Sequence, residues 1–566
     1  MIKNIFIVII LLLTLTSGYS QAPSWTWAFG VGGQGTDHCE SITRDNSGNL
    51  FTTGYFSDAV DFDPGPNDFT MLGNNDIFIL KTDSNKNFIW AKRIGFNNLD
   101  AGTSIICDDS SNVYITGYFR GNVDFDPGTG VFNMYSAPTA VFILKLDSSG
   151  TFQWAKSIQS TTASYIFSFR IRKDVNCNLF IGGYFRDSID FDPGVDTVLL
   201  GTGQYDKVFI LKLNNQGDFV WAKILGAPDA NVSLAEFQDL DVNKEGEVVV
   251  TGYFQNNIDL DPGPDTLLLD ANIGHDAFIC KLDTAGNFQW GIAYGNNINN
   301  VIGRTIAFDS TGNIITSGSF VGNLDADPGS GINLINSASL NYAASYLIKL
   351  DTNGEFIWSQ VLEHCYPYGI TSDALNNLYI TGNFSDTADF NPDPILSFIL
   401  VASGSNDVFV SKSDSNGVFN WAIKAGGPSW ELISRPALGN SDDIYVAGTF
   451  NGLTANFAPY TIQNGSTPAS SNPDGFVARL FNLQTGINEV KSDQELSVFP
   501  NPATNAIQLI IDSPGDIIIY DVLGSVLFQR LFSEKVQKQI ELDISYLTAG
   551  IYFVKKGNKV SKFVKL

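Results

Sequence analysis

Pairs of aspartates recur along this sequence at a fixed spacing, and their side chains are the ones best suited to chemistry. The phrase VDFDPG occurs twice, and IDFDPG, IDLDPG and LDADPG follow it along the chain. Residues two apart in an extended chain point to the same side, so each phrase should present two carboxylates together. Hard oxygen ligands of this kind suit Ca²⁺. The candidate calcium ligands are Asp61, Asp63, Asp124, Asp126, Asp190, Asp192, Asp259, Asp261, Asp325 and Asp327.

A structural turn is the interpretation that we favour for the same phrase. Proline fixes φ, glycine permits a positive φ, and aspartate side chains accept hydrogen bonds from nearby backbone amides. The phrase is shorter than an EF-hand loop and lacks its terminal glutamate. The sixth copy has Asp389 but carries Asn391 at the second position, and the seventh, FNGLTANFAP, has neither acid. We predict no cofactor other than this candidate Ca²⁺.

Catalysis has weaker support in the sequence. Paired carboxylates serve glycosidases, but an active site is normally unique, whereas these pairs recur. The histidines His38, His275 and His364 lie in different repeats, and the sequence contains no GxSxG, HExxH or P-loop motif. We therefore assign no catalytic residue. An irregular centre around VLEHCYPYG, residues 361–369, is the residual alternative, and a divergent loop between repeats is the simpler interpretation of that segment.

A tryptophan repeat shows which elements must position these loops. Seven tryptophans are separated by 63 to 69 residues, and six of them end a shared phrase such as VFILKLDSSGTFQWAK. Self-similarity at a fixed period is typical of repeat architectures. The series consists of Trp27, Trp90, Trp154, Trp221, Trp290, Trp358 and Trp421.

Each repeat predicts four short antiparallel strands. In the first repeat these are ESITRD, NLFTTGYF, DIFILKT and NFIWAKRI, whose apolar residues alternate or cluster as in strands. Asp-x-x-Gly turns, such as residues 45–48 and 147–150, predict tight hairpins between strands one and two and between strands three and four. A lone sheet of this kind cannot bury both faces, and stacking such sheets around an axis solves the problem, as in a β-propeller.

The ends of the repeat region predict a closed ring. Trp27 has no third strand before it, and GFVARLFN at residues 475–482 has no tryptophan strand after it. Pairing the two segments would complete a seventh sheet and remove exposed edges. The sequence thus predicts an all-β, seven-bladed propeller over residues 21–482, with six or eight blades as alternatives. Acidic loops and links between blades should share one face, which is the predicted interaction surface.

The repeat phrases also resemble a known family. The pattern F-I-L-K-L-D-x-x-G-x-F-x-W-A-K, together with D-x-x-G-N-x-x-x-T-G-Y-F, is similar to the bacterial propeller repeats called SBBP. The resemblance covers about residues 25–482 and implies a propeller architecture without implying an activity. This chain differs from the usual short repeat by inserting the acidic phrase after GYF.

Composition and the amino terminus restrict the class of protein further. A net charge of −26 argues against a nucleic-acid partner, and 44% hydrophobic residues argue against disorder. Residues 1–20 read as a signal peptide, with Lys3 before the apolar IFIVIILLLTLTSG; an uncleaved membrane anchor is the alternative. We expect the five irregularly spaced cysteines, Cys39, Cys107, Cys177, Cys280 and Cys365, to be unpaired thiols.

A separate piece follows a polar linker at residues 483–494. Residues 495–566 contain short alternating strands and predict a small β-sandwich. The motifs FPNP, YDVLGSVL, LTAGIYFVK and SKFVKL resemble the type A sorting domain of the type IX secretion system. That resemblance implies handling by the secretion machinery and a secreted or outer-membrane, cell-surface location.

These observations together predict a binding or structural module outside the cell. The expected ligand is an extracellular glycan or protein, and we expect a monomer. The alternative is an extracellular hydrolase or lyase that acts on polysaccharide. Repeat-related exposed aromatic residues on the loop face would favour binding, whereas one deep pocket with two unpaired acids in one blade would favour catalysis.

Overall fold

The structure is a computed structural model. The parts of the chain that it describes are residues 23–95, 100–160, 164–227, 233–296, 299–338, 343–393, 395–439, 443–465, 472–481, 496, 498–511, 515–521, 526–532, 538–548, 550–556 and 559–566. The predicted signal peptide, residues 1–20, and the predicted linker, residues 483–494, lie outside the described residues.

The chain divides into two compact units, Met1–Leu483 and Gln484–Leu566. All regular structure within the described residues is β-strand, which confirms the predicted all-β class. None of the described residues belongs to a helix long and apolar enough to span a membrane.

The strands of the first unit form seven antiparallel sheets of four or more strands in the described part of the chain. The first strand is β1 (Ser24–Val31). Sheet 1 contains β2 (His38–Arg44), β3 (Leu50–Asp61), β4 (Thr70–Thr82) and β5 (Phe88–Ile94). Sheet 2 contains β6 (Ala101–Cys107), β7 (Val113–Asp124), β8 (Asn133–Leu146) and β9 (Phe152–Ser160).

The third and fourth sheets follow the same strand order. Sheet 3 contains β10 (Ile166–Lys173) and β11 (Leu179–Phe185), then, after the short pair β12 (Ile189–Asp190) and β13 (Leu199–Leu200), β14 (Lys207–Leu213) and β15 (Phe219–Leu225). Sheet 4 contains β16 (Leu234–Val242), β17 (Val248–Asp259), β18 (Leu268–Leu282) and β19 (Phe288–Tyr294).

The last three sheets also carry short pairs between their second and third strands. Sheet 5 contains β20 (Ile302–Phe308), β21 (Ile314–Phe320), the pair β22 (Asn323–Asp325) and β23 (Leu334–Asn336), β24 (Ala344–Leu350) and β25 (Phe356–Leu362). Sheet 6 contains β26 (Cys365–Ser372), β27 (Leu378–Phe384), the pair β28 (Thr387–Asp389) and β29 (Ile399–Val401), β30 (Asp407–Ser413) and β31 (Phe419–Ala425). Sheet 7 contains β32 (Trp430–Ile433), β33 (Ala437–Leu438), β34 (Asp443–Asn451), the pair β35 (Thr454–Phe457) and β36 (Tyr460–Gln463), β37 (Asp474–Phe481) and finally β1.

Strand β1 completes sheet 7, as the sequence predicts. It pairs with β37 antiparallel, so that Trp27 lies opposite Arg479 and Val31 lies opposite Gly475. The first described strand of the chain and the last strand of the repeat region therefore share one sheet.

The Asp-x-x-Gly hairpins also have the predicted form. The Gly48 amide donates to the Asp45 carbonyl at 3.0 Å, and an Asp45 carboxylate oxygen accepts the Asn49 amide at 2.8 Å. Gly48 has φ of +91°, a conformation that glycine adopts without steric cost.

Neighbouring sheets are joined by the lysine and tryptophan of the shared phrase. Lys212 Nζ and Trp221 Nε1 both donate to the carbonyl of Thr284, in the next sheet's hairpin, at 2.9 and 3.4 Å. Lys212 also lies over the Phe180 ring at 4.8 Å. The same arrangement recurs at Lys81, Trp90 and Ser148; at Lys281, Trp290 and Thr352; and at Lys349, Trp358 and Ser415. The tryptophan repeat is therefore a repeat of contacts between sheets.

The apolar residues of the first unit pack between sheets. Seven hydrophobic clusters of the described residues each join two sheets that are consecutive in the chain or, in one case, sheets 7 and 1. In that last cluster Trp27 and Val477 pack with Phe56 and Phe78 of sheet 1. Sheets packed face to face in this cyclic order form a repeat fold of the β-propeller class.

The second unit forms two packed sheets. One contains β38 (Val498–Phe499), β39 (Ala506–Ile511) and β42 (Lys538–Asp543), and the other contains β40 (Gly515–Asp521), β41 (Val526–Phe532), β43 (Gly550–Lys556) and β44 (Lys559–Lys565). Ile507, Ile519 and Phe563 are buried in one core that both sheets share. This is the sandwich arrangement that the sequence predicts for the C-terminal piece.

The cysteines are unpaired, as expected. All five are free thiols, and Cys39, Cys280 and Cys365 are buried. Burial raises the pKa of each of these three buried thiols, which keeps them protonated and unreactive.

Candidate binding site in the central channel

The acidic loops, which join the second and third strands of each sheet, hold their aspartates in local hydrogen bonds. One Asp190 oxygen accepts the amides of Asp192 and Val198 at 3.2 and 2.9 Å, and Asp192 accepts the Gly194 amide at 2.7 Å. The same three bonds form in each of the other loops, from Asp61 and Asp63, Asp124 and Asp126, Asp259 and Asp261, and Asp325 and Asp327. Each pair thus organises its own turn.

An asparagine supports this turn in the sixth sheet. Asn391 Oδ1 accepts the Asp393 amide at 3.1 Å, which is the role of the second aspartate in the other loops. No group of three or more His, Cys, Asp or Glu side chains suited to a metal occurs among the described residues. Calcium binding by the ten aspartates stays a prediction.

The apolar residues of the acidic phrase connect the loop to the core. Ile189 and Phe191 are buried, and the Phe191 ring packs edge-on against Phe185 at 5.3 Å. Strand β12 also pairs with β9 of the preceding sheet, with Ile189 opposite Ser160. Backbone bridges from Gly226 to Asp259, from Gly33 to Val60 and from Gly426 to Asn456 join other sheets in the same way. The acidic phrase therefore links neighbouring sheets as well as forming a turn.

The first strands of the sheets converge on a central channel, which contains a cavity of about 330 Å³. Hydrogen bonds connect these strands in sequence around the channel. Ser41 accepts the Ile105 amide, Ser104 accepts the Ile171 amide, and Asp239 accepts the Ile306 amide, at 3.2 to 3.3 Å. The channel is thus enclosed by strands from consecutive sheets.

A β-bulge occurs at the same register in six of the first strands. At each bulge one residue has no partner on the second strand and is left between two register positions. Bulges re-aim side chains and are common beside functional sites. The bulged residues are Glu40, Thr103, Phe169, Gln238, Arg304 and Tyr368.

Charged residues that follow two of the bulges, together with Arg435, form a network inside the channel. We call this network the floor: Arg170, Arg172, Asp239, Asp241 and Arg435. Arg170 Nε lies 2.9 Å from Asp239, and Arg172 Nε lies 3.2 Å from Asp241. Arg435, from sheet 7, reaches both carboxylates at 3.8 and 3.4 Å. Because Arg435 and Asp239 belong to sheets three apart, this network spans the channel.

The network fixes the charges of its members. Burial alone would raise the pKa of Asp239, but Arg170, Arg435 and Arg172 outweigh it and hold that pKa below its usual range. Burial, with repulsion from Arg435, lowers the pKa of Arg172 to about 10. Asp239 is therefore ionised at neutral pH, and Arg172 keeps its positive charge.

The mouth of the channel lies on the acidic-loop face and carries the tyrosine of each GYF phrase. These tyrosines are partly exposed and sit at the end of the second strand in sheets 1 to 4: Tyr55, Tyr118, Tyr184 and Tyr253. Sheets 5 to 7 have Ser319, Asn383 and Thr449 at the same register. Half of the mouth is therefore aromatic and half is small and polar.

Further rings extend this aromatic half. His38 stacks on Tyr55 with ring centroids 4.7 Å apart, and Phe167 lies 5.2 Å from Tyr118. Burial lowers the pKa of His38 to about 4, so its ring is neutral at pH 7. The aromatic half of the mouth is thus a largely uncharged surface of π-faces.

Acids and a lone arginine lie beside the aromatic rings. The Tyr253 hydroxyl donates to Glu236 of sheet 4, and Glu40 lies at the bulge of β2 in sheet 1. Glu40 is 39% exposed; burial raises its pKa, and Arg170 opposes that rise. Arg304 lies over the Tyr368 ring at 5.7 Å and forms no ion pair with a described residue.

The segment at residues 361–369 differs from its interpretation as a loop. Residues Cys365–Ser372 form β26, the first strand of sheet 6, and Tyr368 lines the channel cavity. The channel residues as a group escaped sequence reasoning because each is unique. An alignment of the repeats on their Asp-x-x-Gly turns would have shown one variable column, occupied by the bulged residues.

Comparison with known proteins identifies the second unit. Residues 497–566 match the family model described as a secretion system C-terminal sorting domain. The chain is therefore exported through the type IX secretion system, to the cell surface or the extracellular space.

The first unit has only distant relatives among the proteins compared. An uncharacterised WD repeat-containing protein of Acanthamoeba polyphaga mimivirus is 24% identical over 544 residues, which cover 83% of this chain and 39% of the relative. The chain thus spans well under half of that relative's length. A Dos1 propeller is similar in structure at 9% identity and a TM-score of 0.37, covering 81% of this chain and 95% of its own. An ulvan lyase of a new polysaccharide lyase family aligns at 10% identity and a TM-score of 0.36, covering 74% and 92%.

Proposed function

We propose that the exported chain is a seven-bladed β-propeller, closed by β1, that binds carbohydrate at the mouth of its central channel. The observation that carries the binding role is the aromatic half of the mouth. Four tyrosines at equivalent positions, with His38 and Phe167 beside them, form a partly exposed, concave and aromatic surface.

The cyclic packing supports the closed ring of seven blades. Trp27 in sheet 7 donates to the Ser84 carbonyl of sheet 1 at 3.2 Å, which repeats the bond that Trp90 makes to the next sheet. Asp37, in the link after β1, donates its amide to Pro473 at 2.8 Å. The contacts between the last sheet and the first are thus of the same kind as those between other neighbours.

The shape of the channel supports a glycan over a folded protein as the ligand. Arg435 and Asp239 approach each other across the floor, so only a narrow ligand fits below the mouth. Sugar rings present C–H faces that pack on aromatic rings, and their hydroxyls can bond to polar side chains such as Glu40, which lines the cavity and is 39% exposed. Aromatic walls with a few polar groups are typical of small-molecule and saccharide sites.

Binding also fits the charges better than hydrolysis. Asp239 and Asp241, two of the acids that sheet 4 places in the channel, are both paired with arginines. An acid pair for glycoside hydrolysis requires one carboxyl that is protonated and one that is free. The floor therefore supplies structure and charge rather than a general acid.

Tyrosine variants test the proposal. Purified full chain is screened against a glycan array, and hits are measured by isothermal titration calorimetry with Tyr118→Ala and Tyr184→Ala. We expect each variant to weaken binding about 10-fold or more, since an aromatic contact contributes roughly 1–3 kcal/mol. Tyr135→Ala is the matched control, because Tyr135 is 66% exposed on the same face but outside the mouth. Unchanged binding in the mouth variants, or no glycan bound at all, would refute the proposal.

A further inference from the structure

The channel holds more guanidinium groups than carboxylates that pair with them. Arg170, Arg172 and Arg435 share two partners, Asp239 and Asp241, and Arg304 has no ion pair within the described residues. These four arginines lie inside a chain whose net charge is −26. An unpaired buried charge costs free energy, so such a group usually has a ligand or a functional role.

Two of these arginines also have guanidinium N–H groups that lack a hydrogen-bond partner among the described residues. Arg304 Nε and Arg435 Nη1 are both buried and neither donates a hydrogen bond to a described residue. Buried polar groups are nearly always hydrogen-bonded, so each unpaired N–H requires an acceptor, which is water or a ligand. Both donors belong to planar guanidinium forks, which match the geometry of a carboxylate.

Tyr368 brings the two arginines to the same side of the channel. Its ring lies under the Arg304 guanidinium at 5.7 Å. The next residue, Gly369, approaches Arg435 so closely that an added Cβ would lie 2.4 Å from the Arg435 Cα. Tyr368 and Arg435 both line the 330 Å³ cavity. Arg304 thus lies against this ring, and the backbone of Arg435 lies beside the strand that carries it.

The acids of the channel lie elsewhere. Glu40 belongs to sheet 1 and Glu236 to sheet 4, while Asp239 and Asp241 are already paired. Sheets 5 to 7 carry Arg304, Thr305, Tyr368, Gly369 and Arg435 at the bulge and beside it. Among the described residues, no carboxylate of sheets 5 to 7 forms an ion pair with Arg304 or Arg435.

We propose that the channel selects acidic saccharides, holding a uronate carboxylate between Arg304 and Arg435 while the sugar ring packs on Tyr368. This inference rests on the proposed carbohydrate-binding function and names its ligand class. The aromatic mouth contributes affinity for any sugar, and the arginines contribute the preference for the anionic one.

Matched sugars test the preference. Oligosaccharides of galacturonate, glucuronate, mannuronate and guluronate are each compared with their carboxyl-reduced counterparts by calorimetry with the full chain. We expect at least one acidic oligosaccharide to bind about 10- to 100-fold more tightly than its neutral counterpart, as for hydrogen bonds to charged groups. Arg304→Gln should remove this preference, so that the ratio of the acidic to the neutral affinity falls to about one.

Two controls distinguish a failure of this inference from a failure of the proposed function. Arg120→Gln changes an exposed arginine on the same face and should leave the preference intact. Arg304→Gln should melt at the same temperature as the wild type or higher, because the arginine has no ion pair to lose. Equal binding of acidic and neutral sugars, or an unchanged preference in Arg304→Gln, would overturn this inference and leave the proposed function standing. Binding of neither class would overturn both.

Discussion

Trp27 and Ser84 are joined by a hydrogen bond from the indole Nε1 to the backbone carbonyl, at 3.2 Å. Trp27 belongs to sheet 7, and Ser84 belongs to sheet 1. Inside the repeat, Trp90 makes the equivalent bond to Ser148 at 3.3 Å. The junction between the ends of the repeat region thus uses the same contact as the other junctions.

Replacing Trp27 should therefore open the junction. Trp27 is 6% exposed and packs with residues of sheets 1 and 7, so Trp27→Ala should cost about 3–5 kcal/mol in urea unfolding. Trp27→Phe keeps most of the ring and loses the bond, and it should cost less than Trp27→Ala. Trp90→Ala serves as the control within the repeat. A cost for Trp27→Ala below about 1 kcal/mol would mean that β1 contributes little to the stability of the first unit.

The buried carboxyl of Asp474 leads to a second prediction for the junction between sheets 7 and 1. The free energy of unfolding should fall as the pH rises. Burial, with repulsion from Asp37, raises the pKa of Asp474 to about 7, and burial raises the pKa of Asp37 to about 7 as well. The folded chain therefore keeps these protons to higher pH than the unfolded chain, whose aspartates titrate near pH 4. Stability from these groups is complete below about pH 4 and is lost progressively up to about pH 7.

Asp474→Asn tests this pH dependence. The asparagine can still accept the Gly465 amide, which now bonds to Asp474 Oδ2 at 2.6 Å, while it carries no charge. We expect it to raise the free energy of unfolding by about 1–3 kcal/mol at pH 8 and to have much less effect at pH 5. The exposed Asp218→Asn should change neither value. Equal effects of Asp474→Asn at both pH values would contradict the assignment.

The residues that repeat could be predicted from the sequence, whereas those that line the channel could not. Repetition marks what every sheet needs, such as the tryptophan that bonds to the next hairpin, and the out-of-step ends predicted the pairing of Trp27 with residues 475–482. The buried side chains of the acidic phrase, such as Phe191, could not be predicted from the sequence of the loop. Their role depends on contacts with a preceding sheet, which no local pattern reveals.

The residues that line the channel, by contrast, do not repeat and could not be predicted from the sequence. Arg170 and Asp239 lie in separate repeats, and Arg435 lies almost two hundred residues further along the chain. Each occupies a position where the other repeats carry a different residue, so no repeated pattern in the sequence indicates its role. Only the convergence of the first strands brings these side chains within 4 Å of one another.

Asp190 distinguishes the two interpretations of the acidic loops. Its carboxylate accepts the amides of Asp192 and Val198, so Asp190→Ala should cost about 1–3 kcal/mol. Asp190→Asn keeps an acceptor oxygen and should cost less than about 1 kcal/mol if the loop is a turn. The melting temperature of the wild type should then be the same in EDTA and in millimolar CaCl₂. A rise with calcium that Asp190→Asn abolishes would instead establish calcium ligation.

The floor of the channel offers the last prediction, because Asp239 is the partner of three arginines. Asp239→Asn removes the charge that compensates Arg170, Arg172 and Arg435, and it should cost about 3–5 kcal/mol in urea unfolding. The amide oxygen can still accept from Thr305, so the cost reports mainly on charge. Asp218→Asn, whose side chain is 64% exposed and 3.8 Å from Lys156, should cost less than about 1 kcal/mol.

A double-mutant cycle tests whether the floor acts as one unit. In the Asp239→Asn background, Arg435→Gln removes one of the arginines that has lost its partner, so it should be less destabilising than in the wild type, and it should even restore stability. We expect the two substitutions to depart from additivity by about 0.5–3 kcal/mol. Additive costs would show that Arg435 and Asp239 are not coupled. Their contact across the channel would then contribute nothing to the free energy of unfolding.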